Sequence, residues 1–155
     1  MSAADEVRSR YAQYLEEIDQ VIATAKPGAG LFGIGVAPKN DPCNDRFMSD
    51  MQKWFEAFVS SEPSSEDTAS VLSYVYEAQE SRRQDFVFFT LTAIHGMTIP
   101  LISRLMPEQA SELADAYETR IPRQQRLPVQ QTLLKALYER AGRMPARRGL
   151  FGRKR

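Results

Sequence analysis

Phe86-Val87-Phe88-Phe89-Thr90-Leu91-Thr92-Ala93-Ile94-His95-Gly96-Met97-Thr98-Ile99-Pro100-Leu101-Ile102-Ser103-Arg104-Leu105-Met106 decides the fold. From Phe86 to Ser103 it carries no Asp, Glu, Lys or Arg, whereas the chain's other long segments are mixed. At helical pitch Phe86, Phe89 and Ala93 fall on one side, and Phe88 and Leu91 point elsewhere. A helix apolar on every side is predicted to be buried on every side. Gly96 and Pro100 interrupt it, because Pro100 has no amide to offer the Gly96 carbonyl and its ring clashes there. The expectation is a break around residues 95–99, with one helix over 82–95 and a short one over 98–105. The run is long enough to cross a bilayer. Its histidine, glycine, proline and threonines, with Asp85 at its edge, favour a buried helix instead.

Working outward, capping signals set the limits of this element. Ser81-Arg82-Arg83-Gln84 reads as a capping box at its start, and Pro107 opens the next helix. Upstream, Val7, Tyr11, Leu15, Ile18 and Ile22, widened by Tyr14 and Val21, mark a helix over 3–25 that Lys26-Pro27-Gly28 stops. A second helix begins at Asp41-Pro42 with a stripe of Phe47, Met51, Trp54, Phe55, Phe58 and Val59. A third, over 65–80, opens at Ser64-Ser65-Glu66-Asp67. Downstream, Ala110, Leu113, Ala114, Tyr117 and Ile121 follow Pro107. Leu133, Leu134, Leu137, Tyr138 and Ala141 follow Pro128, with Gly142 as a left-handed cap. No stretch alternates as a strand would. The fold class is therefore all-α: a single-domain bundle or array of antiparallel helix pairs, six to seven helices with a kinked or broken central one. The helical domain covers residues 1–142. It includes a loop at 26–41 whose Leu31, Phe32, Ile34 and Val36 should lie against the body. A basic tail at 143–155 is expected to be disordered.

The 155 residues are 43% hydrophobic and 26% charged, the composition of a globular protein with a real core. Net charge is zero, so whole-molecule attraction to nucleic acid is not expected. Residues 1–81 nevertheless hold 14 acidic and 6 basic side chains, and residues 82–155 hold 6 and 14. The halves are expected to pack with complementary charge, or to pair between two copies as a homodimer. One cysteine permits no internal disulfide and fits a reducing compartment. Charged residues through the first 20 positions do not make a secretory signal, which points to the cytoplasm.

Chemistry-bearing residues are few. Gly28-Ala29-Gly30-Leu31-Phe32-Gly33 has the spacing of a dinucleotide fingerprint but follows a helix, where the motif cannot work. Cys43 sits in a helix's first turn, which favours a thiolate, although Asp41 and Asp45 oppose it. His95, the single histidine, stands at the expected kink, as a base in a cavity or as a core residue satisfying freed carbonyls. The two together supply too few ligands for a metal, and no cofactor is implied. Asn40-Asp41-Pro42-Cys43-Asn44-Asp45 is rich in oxygen, yet helix capping accounts for it. Arg120, Arg123 and Arg126, spaced by three around prolines, make a candidate surface for phosphate or an acidic partner.

The leading expectation is a small cytoplasmic helical interaction or regulatory protein without catalysis. Its partner would be another protein, unidentified, bound through Leu31, Phe32, Arg120, Arg123 and Arg126. An enzyme using Cys43 or His95 in a central cavity is the first alternative. The second is a peripheral membrane or nucleic-acid binder acting weakly through the basic tail.

Overall fold

Polar side chains at the helix ends decide where each helix starts. At the amino terminus the Ser2 hydroxyl accepts from the Asp5 amide at 3.2 Å, and the Asp5 carboxylate accepts from the Ser2 amide at 3.2 Å. That reciprocal cap begins α1 (Ala3–Thr24). Asp41 accepts from the Cys43 amide at 2.9 Å and, with Pro42 in the first turn, begins α2 (Pro42–Ser60). The oxygen-rich stretch around Asp41 is thus a cap. Ser64 and Asp67 begin α3 (Ser65–Ala78). α4 spans Val87–Met97, α5 Pro107–Arg120 and α6 Pro128–Ala141. Gly142 ends α6 with φ of 67°, in the left-handed region where glycine is at ease. Short 3-10 segments occupy 38–40, 79–82, 99–104 and 123–125. The computed structural model describes residues 1–25, 37–83 and 85–143.

The chain is all-α, with no strand among the described residues. α1 and α2 run antiparallel, because Glu6, Arg10 and Glu17 pair with Trp54, Asp50 and Arg46 in descending order. The Tyr14 ring stacks on Phe47 with centroids 4.1 Å apart, and Tyr11 meets Phe47 edge-on at 5.2 Å. α5 and α6 form a second antiparallel pair, closed by Arg143 on Asp115 and Arg126 on Glu118. The core runs through all six helices, from Val7 and Tyr11 through Met51, Leu72 and Leu91 to Leu133 and Leu137. Acidic and basic halves do meet inside one molecule: Asp19 with Arg82, Glu62 with Arg104, and Glu77 with Arg120.

Three local expectations are corrected. The central helix does not start at Ser81, which lies in a 3-10 turn over Gln79–Arg82. Asp85 starts it instead, accepting from the Val87 amide at 2.7 Å. Arg82 holds that turn in place with a forked pair to Asp19 at 2.7 and 3.0 Å and a bond to Asp85 at 3.0 Å.

The break does occur at Met97–Thr98, but Ile99–Arg104 winds as a 3-10 helix and not as α. With no amide at Pro100, the next bonds close over three residues: the Thr98 amide donates to His95 and the Leu101 amide to Thr98.

The third correction concerns burial. α4 packs on α2, α3 and α6, and Val87, Leu91, Thr92, Ile94 and His95 are buried. Phe89, however, is 62% exposed and Ala93 faces solvent. The element is apolar all round but covered on three sides. Among the described residues no helix is long and apolar enough to cross a membrane.

Candidate functional site

Cys43 and His95 occupy separate environments. Cys43 lies at the base of an open groove of about 480 Å³ between α1 and α2, among Glu6, Arg10, Tyr14, Glu17 and Arg46. Its residue surface is only 1% exposed. Burial first, and then the Asp41 carboxylate beside it, push the thiol up to about 11. At neutral pH it is a protonated thiol, the unreactive form. The helix dipole that would favour a thiolate is outweighed by desolvation and by the capping acid.

His95 is completely buried behind the break in α4. One ring nitrogen, Nε2, lies 3.2 Å from the Val75 carbonyl in the last turn of α3. A carbonyl only accepts, so Nε2 carries the proton and Nδ1 accepts from the Tyr117 hydroxyl at 2.8 Å. Tyr76 and Tyr117 meet the ring at 5.2 and 5.6 Å. Burial lowers the imidazole to about 4, against a smaller opposing effect of the Val75 bond. It is therefore neutral at pH 7, with both nitrogens engaged. The carbonyl it satisfies belongs to α3; its own carbonyl is taken by the Thr98 hydroxyl at 2.7 Å. Because that proton points at His95, the Tyr76 hydroxyl must donate to Thr98, 2.8 Å away. Tyr76, Thr98, His95 and Tyr117 thus form one chain of buried hydrogen bonds linking α3, α4 and α5 at the break. Cys43 and His95 have no hydrogen-bond partner in common among the described residues. No group of three or more His, Cys, Asp or Glu residues able to hold a metal ion occurs among them either.

The arginines of the turn after α5 divide by environment. Arg120 pairs with Glu77 at 2.8 Å, and its carbonyl accepts from Arg83. Arg126 donates through Nε to the Ile121 carbonyl at 2.8 Å and lies 3.7 Å from Glu118. Both hold the turn to the body. Arg123 is exposed and, with Arg126, Gln131 and Lys135, lines a groove of about 330 Å³ that Glu118 partly neutralises. Leu31 and Phe32, with the rest of 26–36, lie outside the described residues, as do 144–155 of the basic tail.

The prominent surface feature is one that sequence reasoning passed over. On the side of α4 that faces solvent, Phe89 stands out, Ala93 follows one turn later, and Gly96, Met97 and Pro100 come next. Beyond Ala93 this stripe forms one wall of an open hollow of about 600 Å³, whose other wall on α2 joins Phe55 and Val59 with the polar Gln52, Glu56 and Ser60. Glu56 is the one charged residue lining it, and its carboxylate accepts from Gln52 at 3.0 Å. A large exposed aromatic beside a hollow lined in part by apolar side chains makes this face the candidate docking surface. The signal was present in the sequence: Phe86, Phe89 and Ala93 share a side with no charge. Periodicity finds an apolar side but not which neighbour covers it.

No protein-family model, curated protein or solved structure shows a significant match to this chain.

Proposed function

We propose that this chain is a helical protein-interaction module that docks its partner on the exposed side of α4, without chemistry of its own. Phe89, 62% exposed on a helix without a charged residue, is the observation that carries this reading. Apolar surface of this kind is what binding removes from water, and an aromatic next to a hollow is the usual anchor of an interface. The two side chains with catalytic potential support the same reading, since the thiol is held protonated and both imidazole nitrogens are engaged. The Arg123 groove contributes at most a basic rim elsewhere on the surface. A single buried thiol suits a reducing compartment, so the cytoplasm is the proposed place of work.

Site-specific photo-crosslinking in cells tests the proposal. A photoreactive phenylalanine analogue at position 89 is expected to give discrete adducts, and the same group at Glu16, on exposed α1 surface, none. Equal labelling at the two positions, or none at 89, would sink the assignment of this face.

A further inference from the structure

On the α4 face a projecting ring and a hollow stand on opposite sides of Ala93, and we infer that the partner of this face is a second copy of this chain, packed antiparallel across a two-fold axis beside Ala93. This rests on the reading of that face as a docking surface and names the occupant.

Phe89 and Met97 lie four residues to either side of Ala93, about 6 Å along the helix in each direction. The projecting ring is on one side of Ala93, and the hollow at Gly96, Met97, Pro100, Phe55 and Val59 is on the other. A two-fold axis at Ala93 exchanges these ends. Each Phe89 then enters the hollow of the opposite copy, which is the self-complementary condition of an isologous interface. At the axis itself the side chains are small. Ala93 and Gly96 let two helices approach to about 8 Å, the short end of the usual packing range.

Charge permits the contact. The chain is neutral overall, α4 carries no acid or base that would face its own copy, and Glu56, the one charged residue lining the hollow, has its carboxylate engaged by Gln52 at 3.0 Å. Area sets its strength. A helix of 11 residues is about 16 Å long. With the adjacent wall of α2, it can bury on the order of 500 Å² per copy, against roughly 800 Å² per partner in a standard stable interface. The dimer is therefore weak and concentration-dependent, with a dissociation constant in the micromolar range or above.

The test uses the purified full chain. Sedimentation between micromolar and millimolar protein is expected to show a reversible monomer–dimer equilibrium. Phe89→Glu should weaken it at least about thirtyfold, the loss typical of a central anchor. Circular dichroism and thermal melting should match the parent protein, since position 89 is exposed. A short bis-maleimide should link Ala93→Cys chains to one another. It should link a mixture of Phe89→Cys and Met97→Cys chains more than either alone, with the parent protein unlinked because Cys43 is buried. A monomer at every concentration overturns the inference, as does a dimer that Phe89→Glu leaves intact or that Ala93→Cys fails to link. If adducts to other proteins still form at position 89 in cells while the purified chain stays monomeric, the face is right and the second copy is wrong. If neither forms, both readings fall together.

Discussion

Lowering the pH from 7 to 4.5 should destabilise this protein chiefly through one residue. His95 is the single histidine, so no other imidazole titrates in that window. Its folded value is about 4, against 6.5 for a free imidazole. The unfolded chain therefore takes up the proton first. The stabilisation is fully present above pH 6.5, declines as pH falls, and is gone once pH drops through about 4. The gap corresponds to on the order of 3 kcal/mol, a large share of the stability of a domain this size. Asp5, Asp19 and Asp41 are held below 3.8, each by hydrogen bonds to its carboxylate, so the stability they add is lost further down the scale. Urea unfolding at steps from pH 7 to 4.5 should show uptake of close to one proton on unfolding. His95→Gln keeps an amide donor for Val75 and an acceptor for Tyr117. It should be weaker at pH 7 by about 2 kcal/mol, and its stability should stay nearly flat across the same range. Parallel curves for the two proteins would refute the reasoning. So would a native-state imidazole that titrates at 6 or above by nuclear magnetic resonance.

Other substitutions probe the same framework. The Tyr11 hydroxyl is buried without a hydrogen-bond partner among the described residues. Tyr11→Phe should therefore raise stability by about 1 kcal/mol in urea unfolding, because it removes a desolvated group and nothing else. Tyr76→Phe should do the opposite, losing about 1 kcal/mol with the bond to Thr98. Arg82→Lys keeps the charge but not the fork on Asp19, so the link between α1 and the start of α4 should weaken by about 1 kcal/mol, visible as faster amide exchange at Val87–Phe89. At Gly96 an added methyl would meet Val129 Cγ2 at 3.2 Å, closer than ordinary contact, on a β-branched side chain with little freedom about χ1. Gly96→Ala should thus lose most of a helix-propensity gain of up to about 1 kcal/mol to that contact, read as a melting midpoint that does not rise.

Helix limits set by local chemistry were legible in the sequence. Asp41-Pro42, Ser64 with Asp67, Pro107, Pro128 and Gly142 all act where their capping or φ preferences place them. Gly96 and Pro100 mark the break for the same reason. Ser81 misled because a capping box is a pattern that two competitors can overrule. Asp85 offers a carboxylate nearer the helix start, and Arg82 is drawn away to Asp19, 63 positions earlier in the chain. A contact at that separation has no local signature. The short α-helix expected over 98–105 gave way to 3-10 winding because a missing amide removes one bond, and the neighbours then settle on the next available carbonyl.

The candidate site was harder to see for a related reason. Hydrophobicity states that a surface prefers to leave water, and it is silent on whether the same chain or another supplies the cover. α4 shows both outcomes within one helix. Leu91, Ile94 and His95 are enclosed by the chain's own helices, while Phe89 and Ala93, no more polar, are not. His95 drew attention as the polar exception in an apolar run, yet its nitrogens end on Tyr117 and Val75, and it works as a fastener at the break. That fastener bears on the opposite face. A 3-10 turn after Met97 carries Pro100 to the rim of the hollow, and the buried chain from Tyr76 to Tyr117 fixes the break. The residues that shape the hollow are therefore held by hydrogen bonds on the hidden side of the same helix. Loosening His95 should blur the proposed docking face before it unfolds the domain.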